Sequence, residues 1–599
     1  MKRHTYDSGI IGNCAYIAHV EKNSNINWLC WPSFEDSFVF GSLLDKDKGG
    51  EFSILPTHGI HKSSQYYKEN TNILCTAIDT SDGSYLITDF APRFEQHERY
   101  YKPLTLIRKV EPIHNQPEIK VTCNPVYDYG QREFTRNRGS NHIRFQSGNI
   151  RIQLATNMPI SHFSDGFSFL LSRPIYLILT FGNAFEAPIE RTAEDFLNRT
   201  RSYWRKWVKN ASIPAFYQKE VIRSALVLKL HQYEDTGAII AASTTSLPEY
   251  PGSGRNWDYR YCWVRDSYYV LTALNHIGHF EEMEKFAIYI ANIAQANRGR
   301  LQPLYGIMGQ SNLEEKTLDY LHGYQGNQPI RKGNQAFEHI QNDVYGQAMI
   351  ALLPLFTDYR FRHQNTKYAR RWTHFILNKI KSTIDEKDAG IWEFRHFEYR
   401  HCYSNLFQWA GASAALKISK QYKMKTLEKQ AEDIRDRAIE HIESCYDKTR
   451  GVYHHATHSQ DLDASTLQLI MMKYLDPNSK KASQHLEALE SVLKGKDGLF
   501  YRYLHRDDFG KPKSSFLVCA FWYVEALACV DRLDEAQKVF KKLLKYANHL
   551  MLFSEDVDES DGSQWGNFPQ AYSHVGLMNA AYRIAMKLDN PTFFDSLYE

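Results

Sequence analysis

The spacing of hydrophobic residues divides the chain into two parts with different periods. Up to about residue 181, short runs of β-branched and aromatic residues alternate with turn clusters, as is typical of strands. Because no helical pattern separates these runs, this part predicts an antiparallel β-sandwich. The runs lie at 15–20, 73–78, 85–90, 104–110, 119–123, 150–155 and 175–181.

Beyond this part the apolar residues recur at the period of an α-helix. Residues 192–210 are charged, polar and tryptophan-bearing, and they predict a helical linker. In 536–547 the apolar residues stack on one helix face, and Asp534 is a candidate N-cap. Residues 283–294 repeat this pattern, and 427–442 do so less fully. By contrast, 516–527 is apolar nearly all round and predicts an inner helix.

Amphipathic outer helices and apolar inner helices together predict a double-layered helical ring. The sequence holds roughly a dozen helices of these two kinds, and their ends are located only to within a few residues. The loops between them are long, and binding residues often lie on such loops. We therefore predict a β-sandwich at 1–190, a helical linker at 191–215 and a helical ring at 216–599.

Composition and charge exclude several classes of function. Hydrophobic residues make up 43% of the chain and charged residues 24%, as in an ordinary globular protein. The net charge of +3 includes no basic block, so nucleic acid is not an expected partner. The nine cysteines include no Cys-x-x-Cys pair and are interpreted as buried free thiols. No segment predicts a membrane span or a signal peptide, which favours a cytoplasmic protein unless a signal preceded residue 1.

The segment 256–267 combines closely spaced aromatic and charged residues, and aromatic residues make up 14% of the whole chain. Aromatic rings bury the apolar faces of sugars, while a guanidinium and a carboxylate bracket their hydroxyls. On its own, the pair Arg265 and Asp266 is as well explained by a buried ion pair at the start of an aromatic helix. The segment therefore indicates a sugar site only in combination with other features.

Two separated carboxylates supply that combination. Glu393 follows a glycine and Trp392, and Glu555 opens an acidic run shortly before the segment 566–570. Each alone is typical of an exposed loop. Together with an aromatic platform, two carboxylates are the groups that cleave a glycosidic bond. The glycine-bearing loop 322–334 lacks a Gly-Lys-Ser/Thr motif, and the scattered histidines lack a ligand pattern, so we predict neither a cofactor nor a metal site.

These segments, in this order, resemble bacterial members of glycoside hydrolase family 15, the glucoamylase, glucodextranase and trehalase group. The resemblance covers nearly the whole chain, and its motifs lie at 11–13, 26–34, 244–249, 257–266 and 566–570. It implies an N-terminal β-sandwich joined by a linker to an (α/α)6 barrel. It also implies catalysis with inversion at the anomeric carbon.

The resemblance assigns roles to single residues. By their motifs, Glu393 resembles the general acid and Glu555 the general base. Binding roles carry over to seven positions: Tyr259 beside the catalytic water, Trp263 under the first sugar, Arg265 and Asp266 at the hydroxyls of the non-reducing end, Trp392 before the acid, Arg502, more loosely, at the leaving-group sugar, and Tyr572 where fungal members have a tryptophan.

The expected activity is that of an exo-acting inverting α-glucosidase of the glucoamylase type. It would release β-D-glucose from the non-reducing end of α-1,4-glucans or maltooligosaccharides. The alternative is an α,α-trehalase, and a glucodextranase, an inverting disaccharide phosphorylase and a non-catalytic sugar-binding protein stay open. Glu555 argues against the phosphorylase, because a carboxylate repels phosphate. Departures at Phe394, 327–329 and Tyr572 concern the leaving-group side, so the sequence indicates the reaction type more strongly than the substrate, an oligosaccharide or a disaccharide.

Overall fold

The computed structural model describes residues 3–164, 166–296, 300–361 and 366–589. Within these ranges a β-rich N-terminal region precedes a helical region. The predicted end of the helical region at residue 599 lies outside the described residues. The strands of the N-terminal region are β1 Ser8–Gly12, β2 Ile17–Glu21, β3 Ile26–Cys30, β4 Phe38–Phe40, β5 Glu51–Pro56, β6 Lys62–Tyr67, β7 Leu74–Asp79, β8 Gly83–Phe90, β9 Phe94–Gln96, β10 Arg99–Tyr101, β11 Thr105–Asn115, β12 Glu118–Asn124, β13 Val126–Tyr127, β14 Arg132–Glu133, β15 Thr135–Arg138, β16 His142–Ser147, β17 Ile150–Thr156, β18 Phe169–Leu170 and β19 Ile175–Phe181.

These strands form antiparallel sheets that pack face to face. The largest sheet has eight strands in the order β15-β16-β17-β19-β11-β8-β7-β6. A three-stranded sheet, β18-β12-β5, and a four-stranded sheet, β1-β2-β3-β4, lie against it and share its hydrophobic core. The Tyr85 hydroxyl on β8 donates to the Ile54 carbonyl on β5 at 3.1 Å, which links the two layers. The predicted antiparallel sandwich is confirmed.

A buried arginine, paired with an aspartate of its own sheet, also joins the two layers. Arg108 on β11 binds Asp89 on the neighbouring β8, with 2.8 Å between Nε and Oδ1, and both side chains are fully buried. The same guanidinium donates to the carbonyls of Phe52 at 2.7 Å and Ser24 at 2.5 Å. Burial raises the pKa of Asp89, while Arg108 opposes that rise. Arg108 therefore fixes how the sheets sit on each other.

The helical region supplies most of the α-helices. Its inner and outer members differ in burial as the sequence predicts. All thirteen residues of the helix Leu517–Cys529 are buried, whereas Leu533–Leu543 buries one face. The helices of the chain are α1 Ser161–Ser164, α2 Ile189–Lys209, α3 Gln218–His231, α4 Val264–His276, α5 Glu281–Ala296, α6 Val344–Ala351, α7 Leu353–Thr357, α8 Thr366–Thr383, α9 Cys402–Gln421, α10 Lys425–Glu443, α11 Gln468–Met471, α12 Lys480–Leu493, α13 Leu517–Cys529, α14 Leu533–Leu543 and α15 Ala571–Leu588.

The inner helices close a ring. In order they are α4, α6, α9, α11 with the 3-10 turn before it, α13 and α15, and each contacts the next. Helix α15 also packs against α4, which completes the circle. Helices α3, α5, α8, α10, α12 and α14 lie outside this ring, each against an inner neighbour. The expected (α/α)6 barrel is confirmed.

One local prediction about a helix start is wrong. Asp534 does not cap α14, because the helix begins at Leu533 and its N-cap position is Arg532. Arg532 instead binds Glu535 at 2.6 Å and Glu490 at 2.8 Å, so a contact with α12 sets the start of this helix. Helix α2 lies in the segment predicted to be a linker, and the proposed domain limits at 190 and 215 stay a prediction.

Long connections gather at one end of the barrel. Short turns lead from inner to outer helices between α4 and α5, α9 and α10, and α13 and α14. The chain returns to the next inner N-terminus through a long loop, and several of these loops carry two-residue strands. They are β20 Cys262–Trp263, β21 Leu304–Tyr305, β22 Lys316–Thr317, β23 Arg331–Lys332, β24 Tyr446–Asp447, β25 Val452–Tyr453, β26 Ser515–Phe516, β27 Asp556–Val557 and β28 Gln564–Trp565.

The sandwich supports these loops from the side. Trp28 on β3 donates its indole N–H to the Ser243 carbonyl at 2.7 Å, and Arg260 donates to the Asp36 carbonyl at 2.7 Å. Arg260 is fully buried and also binds Asp258. The segment that contains the aromatic motif is therefore anchored in the N-terminal region. None of the helices in the described ranges is long and apolar enough to cross a membrane.

The cysteines are buried and free, as the sequence predicts. All nine are enclosed by protein and none is in a disulfide. Cys519, for example, lies within the fully buried helix α13.

Candidate active site

A pocket with a cavity volume of about 90 Å³ lies at the barrel end where the long loops meet the N-termini of the inner helices. All nine site residues predicted from the sequence line it: Tyr259, Trp263, Arg265, Asp266, Trp392, Glu393, Arg502, Glu555 and Tyr572. The structure thus brings the two carboxylates and the aromatic motif into one cavity.

Glu393 lies in a tight turn on one wall. Its backbone is in the left-handed region, with φ of 60°, which is a costly conformation that often marks a functional position. Its Oε1 accepts three hydrogen bonds: from the Trp263 indole at 2.7 Å, the Gln341 amide at 3.2 Å and Arg265 at 3.3 Å. These donors fix Oε1, so Oε2 is the oxygen available to a ligand.

Gly390, three residues earlier, allows this turn to pack closely. Its φ is 67°, and a Cβ there would lie 2.6 Å from the ring of His401. The next indole, Trp392, donates to Asp463 at 3.0 Å and does not bind Glu393. Trp392 therefore forms part of the pocket wall, whereas Trp263 of the aromatic motif donates the hydrogen bond to the Glu393 carboxylate.

Glu555 lies on another wall, just before β27, and is 1% exposed. Its Oε1 accepts the Tyr259 hydroxyl at 2.7 Å, and its buried Oε2 makes no hydrogen bond with any described residue. Gly566 packs against it so closely that a Cβ would lie 2.7 Å from Oε2. Burial, and then the neighbouring Asp556 and Glu249, raise the pKa of Glu555 well above its usual range.

Two aromatic residues lie between the carboxylates. The rings of Tyr259 and Trp263 meet edge to face with centroids 5.5 Å apart, and each ring binds one of the carboxylates. Burial, and then Glu555, raise the pKa of Tyr259 well above its usual range, so its hydroxyl stays protonated and donates. The chain of contacts runs from Glu555 through both rings to Glu393, and it holds the two acids apart across the pocket.

Arg265 and Asp266 form the inner end of the pocket, in the first turn of α4. Arg265 Nε and Asp266 Oδ2 lie 3.5 Å apart, and neither atom makes a hydrogen bond within the described part of the chain. The buried Tyr572 hydroxyl, at the start of α15, likewise has no hydrogen-bond partner there. Burial raises the pKa of Asp266 to about 6, with Arg265 opposing. This end offers a cation, a carboxyl group and a hydroxyl to a polar ligand.

The opposite end is lined by a second group of buried charges. Arg502 binds Glu249 through two nitrogens at 2.6 and 3.3 Å, and the Trp257 indole also donates to Glu249 at 3.3 Å. Arg255 lies beside them and binds Asp507 at 2.5 Å. Arg502, predicted to face the leaving group, thus lies in a network that leaves its Nε without a hydrogen bond among the described residues.

Sequence reasoning missed several pocket residues. They are Glu249, Arg255, Trp257, His339, Gln341, Arg395, Asp507, Asp508 and Phe509, of which all except Gln341 line the cavity and Gln341 binds Glu393. Glu249 and Trp257 lie within recognised motifs, so the motifs could have marked them. The others are common residue types on loops that only barrel closure brings together.

Among the described residues, the one group of side chains that could share a metal ion lies outside the pocket. In the ranges that the structure describes, Asp45, Asp47 and His322 form the group whose side chains come close enough to share an ion. None of them lines the pocket. The Asp45 carboxylate accepts backbone N–H groups of Asp47 at 2.9 Å, Lys48 at 3.0 Å and His322 at 3.0 Å, so it already stabilises the local loops.

The barrel, the pocket and the motifs agree with the match to known families. The family model of the glycosyl hydrolases family 15 matches residues 215–582, and that of the trehalase-like N-terminal domain matches residues 3–173. The chain belongs to glycosyl hydrolases family 15. It is therefore a glycoside hydrolase, and a carbohydrate is its substrate.

Relatives within family 15 align over nearly the full chain. A protein named trehalase from Thermoplasma volcanium is 33% identical over 598 residues, covering 97% of this chain and 93% of that protein. A trehalase from Mycobacterium tuberculosis is 28% identical, with 94% and 86% covered. The solved structure of a bacterial glucoamylase complexed with acarbose matches with a TM-score of 0.68 at 15% identity, covering 97% of this chain and 95% of that one. At that identity the likeness concerns the fold alone.

Proposed function

We propose that this family 15 enzyme is a trehalase that hydrolyses α,α-trehalose to two molecules of glucose. The strongest support is the match over nearly the whole chain to proteins named trehalase, at 27–33% identity. The glucoamylase reading, which the sequence alone places first, has support only from a fold likeness at 15% identity. The matches therefore favour the trehalase alternative.

Glu393 is the proposed general acid. Trp263, Gln341 and Arg265 occupy Oε1, so the transferable proton is placed on Oε2, toward the open pocket. From there it passes to the glycosidic oxygen as the bond to the anomeric carbon breaks. General acid catalysis of this kind contributes about 10²–10⁴-fold to the rate.

Glu555 is the proposed general base. Its Oε1 is held by the Tyr259 hydroxyl at 2.7 Å, which leaves Oε2 to take a proton from water. The water attacks the anomeric carbon from the face opposite the leaving group. An inverting pair needs carboxyls about 6.5–9.5 Å apart to admit that water. The two aromatic rings between the acids support such a separation.

The two charged ends of the pocket suit the two glucose units of a disaccharide. At the inner end, Arg265 Nε and Asp266 Oδ2 make no hydrogen bond with described residues. They can therefore bind hydroxyl groups of the first glucose unit. At the other end, Arg502 and Glu249 form a bidentate ion pair, which lies where the second glucose unit would bind. Charged groups that bind hydroxyls contribute about 1.5–3 kcal/mol each.

The mechanism fixes the anomers of the two products. Water attacks one anomeric carbon with inversion, so that glucose leaves as the β anomer. The other glucose keeps its own C1–O bond and leaves as the α anomer. Equal initial amounts of α- and β-D-glucose, followed by proton NMR before mutarotation, are therefore expected from trehalose.

A substrate panel tests the proposal. The purified protein is incubated with trehalose, maltotriose and isomaltose, and glucose is measured over time. Trehalose is expected to have the highest kcat/KM. A preference for maltotriose would favour the glucoamylase interpretation. A preference for isomaltose would favour the glucodextranase interpretation. Formation of glucose 1-phosphate in phosphate buffer would instead indicate a phosphorylase, and absence of glucose from every substrate would contradict hydrolysis of α-glucosides.

A further inference from the structure

A short hairpin between α12 and α13 crosses the outer edge of the pocket. Asp507 and Gly510 exchange backbone hydrogen bonds of 3.1 Å, so Asp508 and Phe509 form its tip. Asp507, Asp508 and Phe509 all line the pocket. We call residues 507–510 the rim hairpin.

One side of the rim hairpin is tied to the loop before the aromatic motif. Arg255 donates to the Asp507 carboxylate at 2.5 Å and to the Gly510 carbonyl at 3.0 Å. The side chains of Arg255 and Asp507 are both 4% exposed. A buried, charged contact to side chain and backbone together holds the hairpin in one position.

The other side is tied to the turn that carries Glu393. The Asp508 carboxylate accepts the backbone N–H groups of Arg395 at 2.7 Å and His396 at 3.2 Å. It also binds His396 Nδ1 at 2.8 Å. The hairpin thus bridges two loops on either side of the pocket, and the wall between them is continuous.

Phe509 fills the space between these ties. Its ring meets Trp257 edge to face at 5.0 Å, and the Arg395 guanidinium lies 5.4 Å from Phe509 and 4.8 Å from Trp257. Arg331 covers Trp257 at 4.6 Å. Such aromatic and cation–π contacts favour a fixed arrangement. Beyond the second sugar position, the ligand therefore meets a packed wall.

We propose that Phe509 and the rim hairpin limit the pocket to two sugar units, so that the enzyme cleaves a disaccharide and excludes longer α-glucans. This inference rests on the proposed trehalase function and names the element that produces its specificity. A third glucose unit would extend from the position beside Arg502 and Glu249. It would meet Phe509, Trp257 and Arg395 there, and it could enter only if their contacts were broken.

The test compares kcat/KM for maltotriose and trehalose in Phe509→Ala and in the native enzyme. Removal of the ring is expected to raise the maltotriose-to-trehalose ratio at least about tenfold, the usual effect of changing one apolar contact in a pocket. Asp508→Ala, which frees the hairpin tip, is expected to shift the ratio in the same direction. Lys511→Ala serves as the matched control, because Lys511 is exposed on the same loop and does not line the pocket.

The outcomes separate this inference from the proposed function. If the native enzyme prefers trehalose and neither Phe509→Ala nor Asp508→Ala changes the ratio, the rim hairpin does not set specificity, although the enzyme is a trehalase. If the native enzyme already cleaves maltotriose as well as trehalose, the pocket has no such limit. If it does not cleave trehalose at all, the proposed function itself fails. Melting curves for each variant show whether the fold is kept, and the Phe509→Leu variant supplies a milder change if Phe509→Ala unfolds.

Discussion

Arg108 in the sandwich and three charged residues of the pocket are all buried, but their hydrogen-bonding capacity is satisfied to very different degrees. In the sandwich, Arg108 donates to Asp89, to the Phe52 carbonyl and to the Ser24 carbonyl. In the pocket, Arg265 Nε, Asp266 Oδ2 and Glu555 Oε2 make no hydrogen bond with the residues described. A buried polar group without a partner lowers stability, so such groups persist where a ligand supplies the missing contacts.

The comparison distinguishes charges that hold the fold from charges that await a substrate. Both sets are buried and consist of arginine and acidic residues, so neither burial nor residue type separates them. What differs is the count of free donor and acceptor atoms. Substitutions that change one set at a time test this distinction.

The largest effect is expected on stability, at Arg108 in the sandwich. Arg108→Met leaves Asp89 and two carbonyls buried without their donor, which is expected to cost about 3–5 kcal/mol in the free energy of unfolding. Urea unfolding followed by tryptophan fluorescence measures the loss. The double variant Arg108→Met with Asp89→Leu removes both charges and should recover part of it. A single variant as stable as the native protein would show that Arg108 does not hold the sheets together.

Removal of either acid in the pocket should act on turnover and leave the fold intact. Glu393→Gln and Glu555→Gln keep the side-chain volume, and each is expected to lower kcat on trehalose at least about a hundredfold. Melting temperatures should change little, because the glutamines still fit the pocket. Glu398→Gln, an exposed residue of the same loop as Glu393, is the control for that site. Native activity in either pocket variant would remove that residue from its proposed role.

The sequence predicts the elements better than it predicts their ends. The strand runs, the amphipathic α14 and the fully buried α13 follow from periods of two and of 3.6 residues, which local packing preserves. The start of α14 does not follow from such a period, because Arg532 binds Glu490 on another helix. A contact of that kind depends on the packing of α12 against α14, which no local pattern records.

The residues of the candidate site also differ in how well the sequence predicts them. Residues 259–266 lie close in sequence, and their aromatic and charged character marks them as a sugar-binding candidate once the two separated carboxylates are considered with them. Gln341, Arg395 and Phe509 are marked by no pattern, since they reach the pocket from three separate loops. Only the closed ring of inner helices places those loops side by side. The inner end of the pocket is therefore predictable from the sequence, whereas at the outer end only Arg502 is predicted.

Gln341 should give a moderate effect on catalysis. Its amide donates to Glu393 Oε1 at 3.2 Å, and Gln341→Leu removes that donor at similar volume. One such hydrogen bond is worth about 1 kcal/mol, so kcat on trehalose is expected to fall about fivefold. KM should change less than kcat, because Gln341 does not line the pocket and reaches the ligand only through Glu393 and through Arg265, whose Nη1 donates to Gln341 Oε1 at 3.2 Å. Gln325→Leu, on an exposed loop, is the control. A change in KM alone would show that Gln341 acts on binding and does not position Glu393.

The smallest effect is expected from Asp556, which adjoins Glu555 but does not line the pocket. As the proposed base, Glu555 works only when ionised, so kcat/KM falls as the pH drops below its pKa. Burial and then the Asp556 charge raise that pKa, and Asp556→Asn removes the second cause. The acid limb of the pH profile should therefore move to lower pH, with kcat/KM several-fold above native on that limb and little changed at the optimum. Asp561→Asn, an exposed residue of the same segment, should leave the profile unchanged. A shift of the acid limb to higher pH would mean that Asp556 assists the ionisation of Glu555, and the carboxyl groups of Glu555 and Asp556 would then share a proton.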